Sequence, residues 1–534
     1  MSADAQKSST AEEQASAVRA GYAFEGPALE LGALVVDGEG RPDAAVRIPL
    51  AMVNRHGLVA GATGTGKTKT LQLMAEQLSA AGVPVLAADI KGDLSGLAAP
   101  GESSDKVLER AKDVGQDWVA AGCPVEFLAL GGEGTGLPVR VSITSFGPTL
   151  LAKVLNLNDV QESSLGLVFH YADKAGLAML DLKDLRAVIT YLTSDEGEGE
   201  LKALGGLSRA TAGVILRELI GFADQGGDAF FGEPEFETSD LLRVLPDGRG
   251  VVTLVELPQL QNRPRVFSTF LMWLLADLFE ELPEVGDIDK PKLVFFFDEA
   301  HLLFDDASEQ FLDSVAQTVR LIRSKGVGVF FVTQTPSDVP AEVLAQLGNR
   351  VQHALRAFTP ADAKALKATV STFPRSAYDL AEVLTQLGIG EAVVTVLSDR
   401  GAPTPVAWTR LGAPQSQMAP VDQAFFEKTV AESPLGAKYG EIVDRESAYE
   451  RLAARVEKIE DSAVDGDESL AEEADRATRR KSGGGRNGRR GRVPADTSTA
   501  DKVLESSAFK QMARSAAAVV GREIARSIFG NRRR

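Results

Sequence analysis

The chain has 534 residues, 44 % hydrophobic and 25 % charged, which is ordinary globular composition with apolar material for one large or two medium domains. A formal net charge of −18 argues against a surface uniformly adhesive for nucleic acid, although a ring lumen or a tail can still carry local positive charge. The single cysteine, Cys123, excludes an internal disulfide and a multi-cysteine zinc site, and with only four histidines no dedicated metal cage is expected.

Residues 1–22, rich in Ser, Ala, Glu and Gln, are expected to be disordered. They hold no apolar signal core, and the longest apolar run, near Phe267 to Phe279, is interrupted by Asp277 and too short to span a bilayer. A cytoplasmic protein without a transmembrane segment is the expectation. Leu29 to Val36, the turn Asp37-Gly-Glu-Gly40 and Ala45 to Leu50 predict a hairpin that leads into the apolar strand His56 to Ala60.

That strand runs into Gly61-Ala62-Thr63-Gly64-Thr65-Gly66-Lys67-Thr68, which fits G-x-x-x-x-G-K-[ST] at every fixed position, and helical spacing follows from Thr68 to Leu78. Strand, glycine turn and helix in this order form a phosphate cradle. The glycines let backbone amides converge on the phosphates, and the helix N-terminus adds roughly half a positive charge. Lys67 would reach the β- and γ-oxygens of a nucleoside triphosphate, and the Thr68 hydroxyl could ligate Mg²⁺. Residues 61–69, Lys69 included, are the expected nucleotide-binding set.

Strands at Val83 to Ala88 and Val125 to Leu130 alternate with helical stretches, so an α/β fold with a mainly parallel sheet is predicted over 23–147. Residues 148–245 lose the strand signal and read as a helical insertion, with Ala210 to Ile220 one of its helices. Strands return over 246–412, at Gly250 to Glu256, Lys292 to Phe297, Val327 to Val332 and Glu391 to Val396. Beyond them come a charged helical extension (413–475), a flexible linker (476–506) containing the Gly/Arg tract Arg479 to Arg492, and a basic amphipathic helix (507–534).

The strand Lys292 to Phe297 ends in Asp298-Glu299, the layout of a Walker B element. Asp298 could hold Mg²⁺ and Glu299 could orient or deprotonate the attacking water. The next strand ends in Thr333-Gln334, where the amide is a candidate sensor of the γ-phosphate. Arg350, with Arg356 as a second candidate, could be a finger reaching a neighbouring subunit's site; Arg320 and Arg323 equally suit the end of a helix. Asp298-Glu-Ala-His301 spells an RNA helicase motif, but the long interval before it and the Gln334 strand fit the wider class with an added strand between its Walker elements. His301 is read as the first turn of the next helix. Asp89 and Asp93, flanking Lys91 at a strand end, are read chiefly as turn-stabilising.

Together Leu58 to Thr68, Ala88 to Leu97, Phe295 to Leu303, Arg320 to Val329 and Gln346 to His353 resemble the HerA-like ATPases, which are grouped with the FtsK and HerA DNA pumps. The likeness runs from about residue 25 to about 412 and recurs weakly at the basic C-terminal helix. It implies a RecA-like (ASCE) P-loop NTPase core, ATP and Mg²⁺ as ligands, homo-hexameric rings with sites at subunit interfaces, and hydrolysis that drives movement along DNA. By position it makes Lys67 and Thr68 the Walker A residues, Asp298 and Glu299 the Walker B residues, and Gln334 the sensor. HerA translocases carry a β-barrel before the core, whereas sixty residues precede the P-loop here, too few for a full barrel plus the lead-in strand, so the resemblance does not itself imply DNA loading or a nuclease partner. A second reading is an ATP-dependent assembly switch that recruits a protein or membrane surface through the insertion or tail.

Overall fold

The computed structural model describes residues 3–131, 134–197, 199–200, 205–257, 264–304, 309–443 and 445–456. The Gly/Arg linker, the terminal basic helix and the far part of the charged extension lie outside the described residues.

Short runs of alternating apolar side chains build one sheet. Its strands are β1 (Ala28–Val36), β2 (Glu39–Pro49), β3 (Gly57–Ala60), β4 (Val85–Asp89), β5 (Val125–Leu130), β6 (Leu137–Val139), β7 (Val252–Glu256), β8 (Leu293–Phe297), β9 (Val327–Thr333), β10 (Asn349–His353), β11 (Glu391–Thr395) and β12 (Ala407–Leu411). The order across the sheet is β2-β1-β12-β11-β10-β3-β9-β8-β4-β7-β5-β6. From β10 to β6 all neighbours are parallel; from β10 back to β2 they are antiparallel. The P-loop strand β3 and the Walker B strand β8 are separated by one strand, β9, which pairs with both. This is a RecA-like P-loop NTPase core with the added strand between its Walker elements.

Period-two alternation divides the interior into two layers. Phe295 and Phe297 of β8, Leu86 and Ala88 of β4, and Val329 and Phe331 of β9 face one core, shared with the helices Pro148–Val154, Asp159–Lys174, Leu182–Leu192, Arg209–Asp224 and Pro264–Glu281. Phe296, Val85, Ala87, Phe330 and Val332 face the other, under the P-loop helix Lys67–Ala80 and the β1–β2 hairpin. Both faces of the parallel block are covered, which is why its strands read as nearly continuous apolar runs.

The N-terminal segment corrects the sequence reading, because Ala3–Gly21 is a helix where disorder is expected. Its composition is polar but helix-favouring, and Ala15, Val18 and Tyr22 are buried on the β-hairpin at spacings of three and four residues. Tyr22 Oη also donates to Val394 O and Pro405 O, fixing the end of the helix to the antiparallel wing. Among the described residues no helix is long and apolar enough to cross a membrane.

After β12 the chain straps back over the P-loop helix. Glu76 of that helix accepts hydrogen bonds from Gln415 N (2.8 Å), Ser416 N (3.1 Å) and Ser416 Oγ (3.0 Å). The chain then packs Phe426 on Phe127, their ring centroids 4.0 Å apart, and reaches the helical layer through Tyr439 on Phe236 and Asp184 Oδ1 accepting from Tyr449 N. Burial pushes the Glu76 carboxyl up to about 7 despite these donors. The folded protein therefore holds this proton more tightly than the unfolded chain, where the group titrates near 4.5. Its stabilising contribution is complete below that value and is lost as pH rises towards about 7. Glu76→Gln is expected to flatten the pH dependence of urea-unfolding free energy across that window; an unchanged slope would show that Glu76 does not titrate there.

Candidate active site

The P-loop is held by the strands on both sides of β3. Gly61 N donates to Thr333 O at the end of β9 (3.2 Å), and Ala62 N donates to Ala354 O just past β10 (2.8 Å). Gly64 and Gly66 have φ of 79° and 114°, in the left-handed region that glycine tolerates without a Cβ penalty. At Gly61 the constraint is space, since a Cβ there would lie 2.5 Å from His353 Cβ. Thr65 Oγ1 donates to Ala62 O (2.7 Å), and Gly390 N donates to Thr65 O (2.9 Å), which closes the cradle from below. Thr63 and Gly64 form its exposed rim.

Gly66 is the N-cap of the helix Lys67–Ala80 and brings no capping side chain. The first-turn amides, which no intrahelical carbonyl can satisfy, are left for an anion. His353 lies beneath the loop, fully buried, with Nε2 2.9 Å from Thr70 Oγ1; burial pushes its pKa down to about 4, so the ring supports the loop as a neutral group.

Lys67 is buried and donates to Gly61 O (2.7 Å) and Ala62 O (3.3 Å). Burial lowers its pKa, and the carboxylates of Glu299 and Asp298 oppose that shift. The Walker A lysine thus lies within electrostatic reach of both Walker B carboxylates. Asp298 is 2 % exposed; its Oδ1 accepts from Glu299 N (2.9 Å), and its Oδ2 is buried with no hydrogen-bond partner. Burial, and then the adjacent Glu299, push the Asp298 carboxyl up to about 7.

A buried acceptor without a partner is costly unless a cation or donor meets it. The unpartnered Asp298 Oδ2 suits a cation ligand, and the Thr68 hydroxyl, half-buried in the first turn of the P-loop helix, is of the oxygen type that a Mg²⁺ shell takes. Among the described residues no group of three or more His, Cys, Asp or Glu could hold a metal, so phosphate and water would complete such a shell.

Glu299 has φ of +48°, unusual for a non-glycine residue. Its Oε1 pairs with the Lys91 ammonium, and His301 Nδ1 stands 3.3 Å from Oε2 without hydrogen-bond alignment. His301 opens the short helix His301–Phe304. Gln334 is exposed at the end of β9, at the same edge of the sheet. Asp338 steadies the loop that follows by accepting from Thr333 Oγ1 (2.6 Å) and Thr335 N (2.8 Å).

Two candidates stand apart from the cluster. The Lys69 ammonium turns away to Met418 O and Gln72 Oε1, so only its backbone can serve the cradle. Arg350 sits inside β10, opposite Leu58 and Thr395, and donates to Thr372 O (3.3 Å) rather than projecting as a loop residue would. Arg356 is exposed beside the P-loop and donates to Thr63 O at 3.4 Å. Asp89 holds a turn, accepting from Gly92 N (2.7 Å), Asp93 N (3.2 Å) and Leu94 N (2.8 Å).

Sequence reasoning missed His353, the Lys91–Glu299 contact and Glu256. Glu256 ends β7 opposite Asp89, and burial together with that neighbour pushes its carboxyl up to about 8. An acidic residue ending an apolar strand was the available signal for Glu256.

The profile of the Helicase HerA-like C-terminal family matches residues 35–534. The DNA double-strand break repair helicase HerA of Saccharolobus solfataricus is 22 % identical over 353 residues, 65 % of this chain and 63 % of its own length. A probable helicase of Methanocaldococcus jannaschii, MJECL08, is 30 % identical over 124 residues, 22 % of each chain. The chain thus spans less than two thirds of the length of the curated relatives it matches. Among solved structures, the bacterial conjugative coupling protein TrwB aligns over 77 % of this chain and 95 % of its own, with 16 % identity and a TM-score of 0.48. VirB4 of Thermoanaerobacter pseudethanolicus aligns over 76 % and 99 %, with 15 % identity and a TM-score of 0.45. With 35–534 matched, the chain belongs to the Helicase HerA-like C-terminal family.

Proposed function

We propose that this chain is an ATP-hydrolysing motor subunit that assembles into rings, hexamers by the family likeness, and moves DNA. The observation that carries the reading is that three buried charged groups, Lys67 of the P-loop and Asp298 and Glu299 at the end of β8, lie within electrostatic reach of one another. A phosphate chain in the cradle would take the first-turn amides and draw the Lys67 ammonium from the carbonyls of Gly61 and Ala62. When bound, Mg²⁺ would offset charge on the β- and γ-phosphate oxygens, with Thr68 Oγ1 and Asp298 as this chain's ligands. Glu299 would accept a proton from the attacking water, and Gln334 would orient that water or sense the γ-phosphate. The relative named as a DNA repair helicase supports DNA as the track.

Ring assembly draws support from two exposed apolar residues beside the P-loop. Phe358 is 83 % exposed and Ile389 is 75 % exposed. Phe358 lies two residues past Arg356, which touches Thr63 O, and Ile389 precedes Gly390, which donates to Thr65 O. Large apolar side chains left in water at a nucleotide site suit a subunit interface.

Steady-state hydrolysis with and without duplex DNA tests the motor reading, and light scattering with an ATP analogue tests assembly. DNA-stimulated turnover and a ring that Phe358→Glu shifts to smaller species are expected. Turnover indifferent to DNA of any length would count against a DNA motor and for the assembly-switch alternative.

A further inference from the structure

The hydrolytic role given to Glu299 does not account for its two neighbours. Lys91 pairs with Oε1, while His301 stands near Oε2 without a hydrogen bond to it. The Glu299 side chain is 7 % exposed and that of Lys91 is 44 % exposed, so a surface lysine reaches in to a buried acid.

Both partners are held in place. Lys91 lies within the turn that Asp89 fixes through three backbone amides, and β4 runs beside β8 with Ala88 opposite Phe297. On the other side, the left-handed backbone at Glu299 is locked by Ala300 N donating to Val332 O (2.9 Å).

A general base must offer a lone pair to water, and a carboxylate oxygen that already accepts from an ammonium is turned away from that task. An acid paired in this way is poorly placed to activate water. We infer that Lys91 is a positioning residue that latches Glu299 in a resting orientation, and that a phosphate oxyanion competing for the Lys91 ammonium releases it. The inference rests on Glu299 being the hydrolytic carboxylate. Its exposure makes the lysine accessible to such an anion, from the nucleotide or from a nucleic-acid backbone.

The test uses the full-length chain with Lys91→Met and Lys91→Arg. Lys91→Met is expected to raise basal kcat by about 10-fold, one charge-assisted contact's worth of barrier, with KM for ATP within about twofold. Lys91→Arg, which keeps the charge, should stay near the parent rate. A fall or no change in kcat for Lys91→Met would overturn the latch.

A readout independent of turnover is a double-mutant cycle of Lys91→Met with Glu299→Gln in urea unfolding. Non-additivity is expected without ligand and additivity once the releasing anion is bound. ATPγS alone and duplex DNA alone are the two arms, and DNA is the one expected to abolish the coupling, because a latch that ATP itself opened would leave no basal restraint for Lys91→Met to relieve. Additivity without ligand, or coupling that survives both arms, refutes the proposal. If Glu299→Gln retains turnover, the hydrolytic reading itself fails; if it abolishes turnover while Lys91→Met stays at the parent rate, only the latch fails.

Discussion

Glu299→Gln is expected to lower ATP turnover by about 10²- to 10⁴-fold, the range over which a positioned general base contributes, while nucleotide binding persists. Glutamine keeps the length and shape of the side chain and can still accept a hydrogen bond from Lys91, so the local fold should survive. What it loses is the ability to take a proton. The phosphate cradle is built from residues 61–68 and does not include Glu299, so affinity for ATPγS, measured by calorimetry, should stay within a few-fold of the parent. Turnover within tenfold of the parent would show that another group activates the water.

That edge was legible in the sequence to different depths. Wherever an apolar strand ran directly into a distinctive polar group, as at Ala60-Gly61 and Phe297-Asp298, the pattern carried both strand and chemistry. β9 could be placed between the two Walker strands because Val327 to Thr333 is apolar throughout and ends in Gln334. β10 was not recognised as a strand. Its sequence, Asn349-Arg-Val-Gln-His353, looks like a polar loop, yet Asn349, Gln352 and His353 are buried and hydrogen-bonded within the fold. The partners of Asn349 and His353, which are Met52 O, His56 O and Thr70 Oγ1, come from distant parts of the chain, and no local periodicity encodes them.

The same cause hid the Lys91–Glu299 pair, whose members are 208 positions apart. It also hid the strand position of Arg350, because the pairing that puts it in the sheet comes from β3 and β11. The N-terminal helix was missed for a different reason. Two apolar contacts, Ala15 and Val18, suffice to seat it when the hairpin beneath supplies the rest of the surface. Composition averaged over 22 residues does not register so narrow a stripe.

Lys67→Ala is expected to separate fold stability from ligand affinity. The ammonium is buried near two carboxylates, and burial lowers its pKa, so the protein carries a desolvation cost there that only a bound phosphate fully offsets. Removing the side chain deletes both that cost and the hydrogen bonds to Gly61 O and Ala62 O, so the two effects oppose each other. The ligand-free melting temperature should therefore change little. Binding should suffer severely. Two charge-assisted hydrogen bonds to phosphate at roughly 1.5–3 kcal/mol each amount to about 10²- to 10⁴-fold in affinity. The rise in melting temperature that ATPγS and Mg²⁺ give the parent should vanish at the same ligand concentration. Lys67→Arg should recover only part of it, because the planar guanidinium is bulkier than the ammonium in a cradle where the His353 side chain closely approaches Gly61. A Lys67→Ala protein that keeps both the thermal shift and turnover would place the nucleotide somewhere other than between β3 and β8.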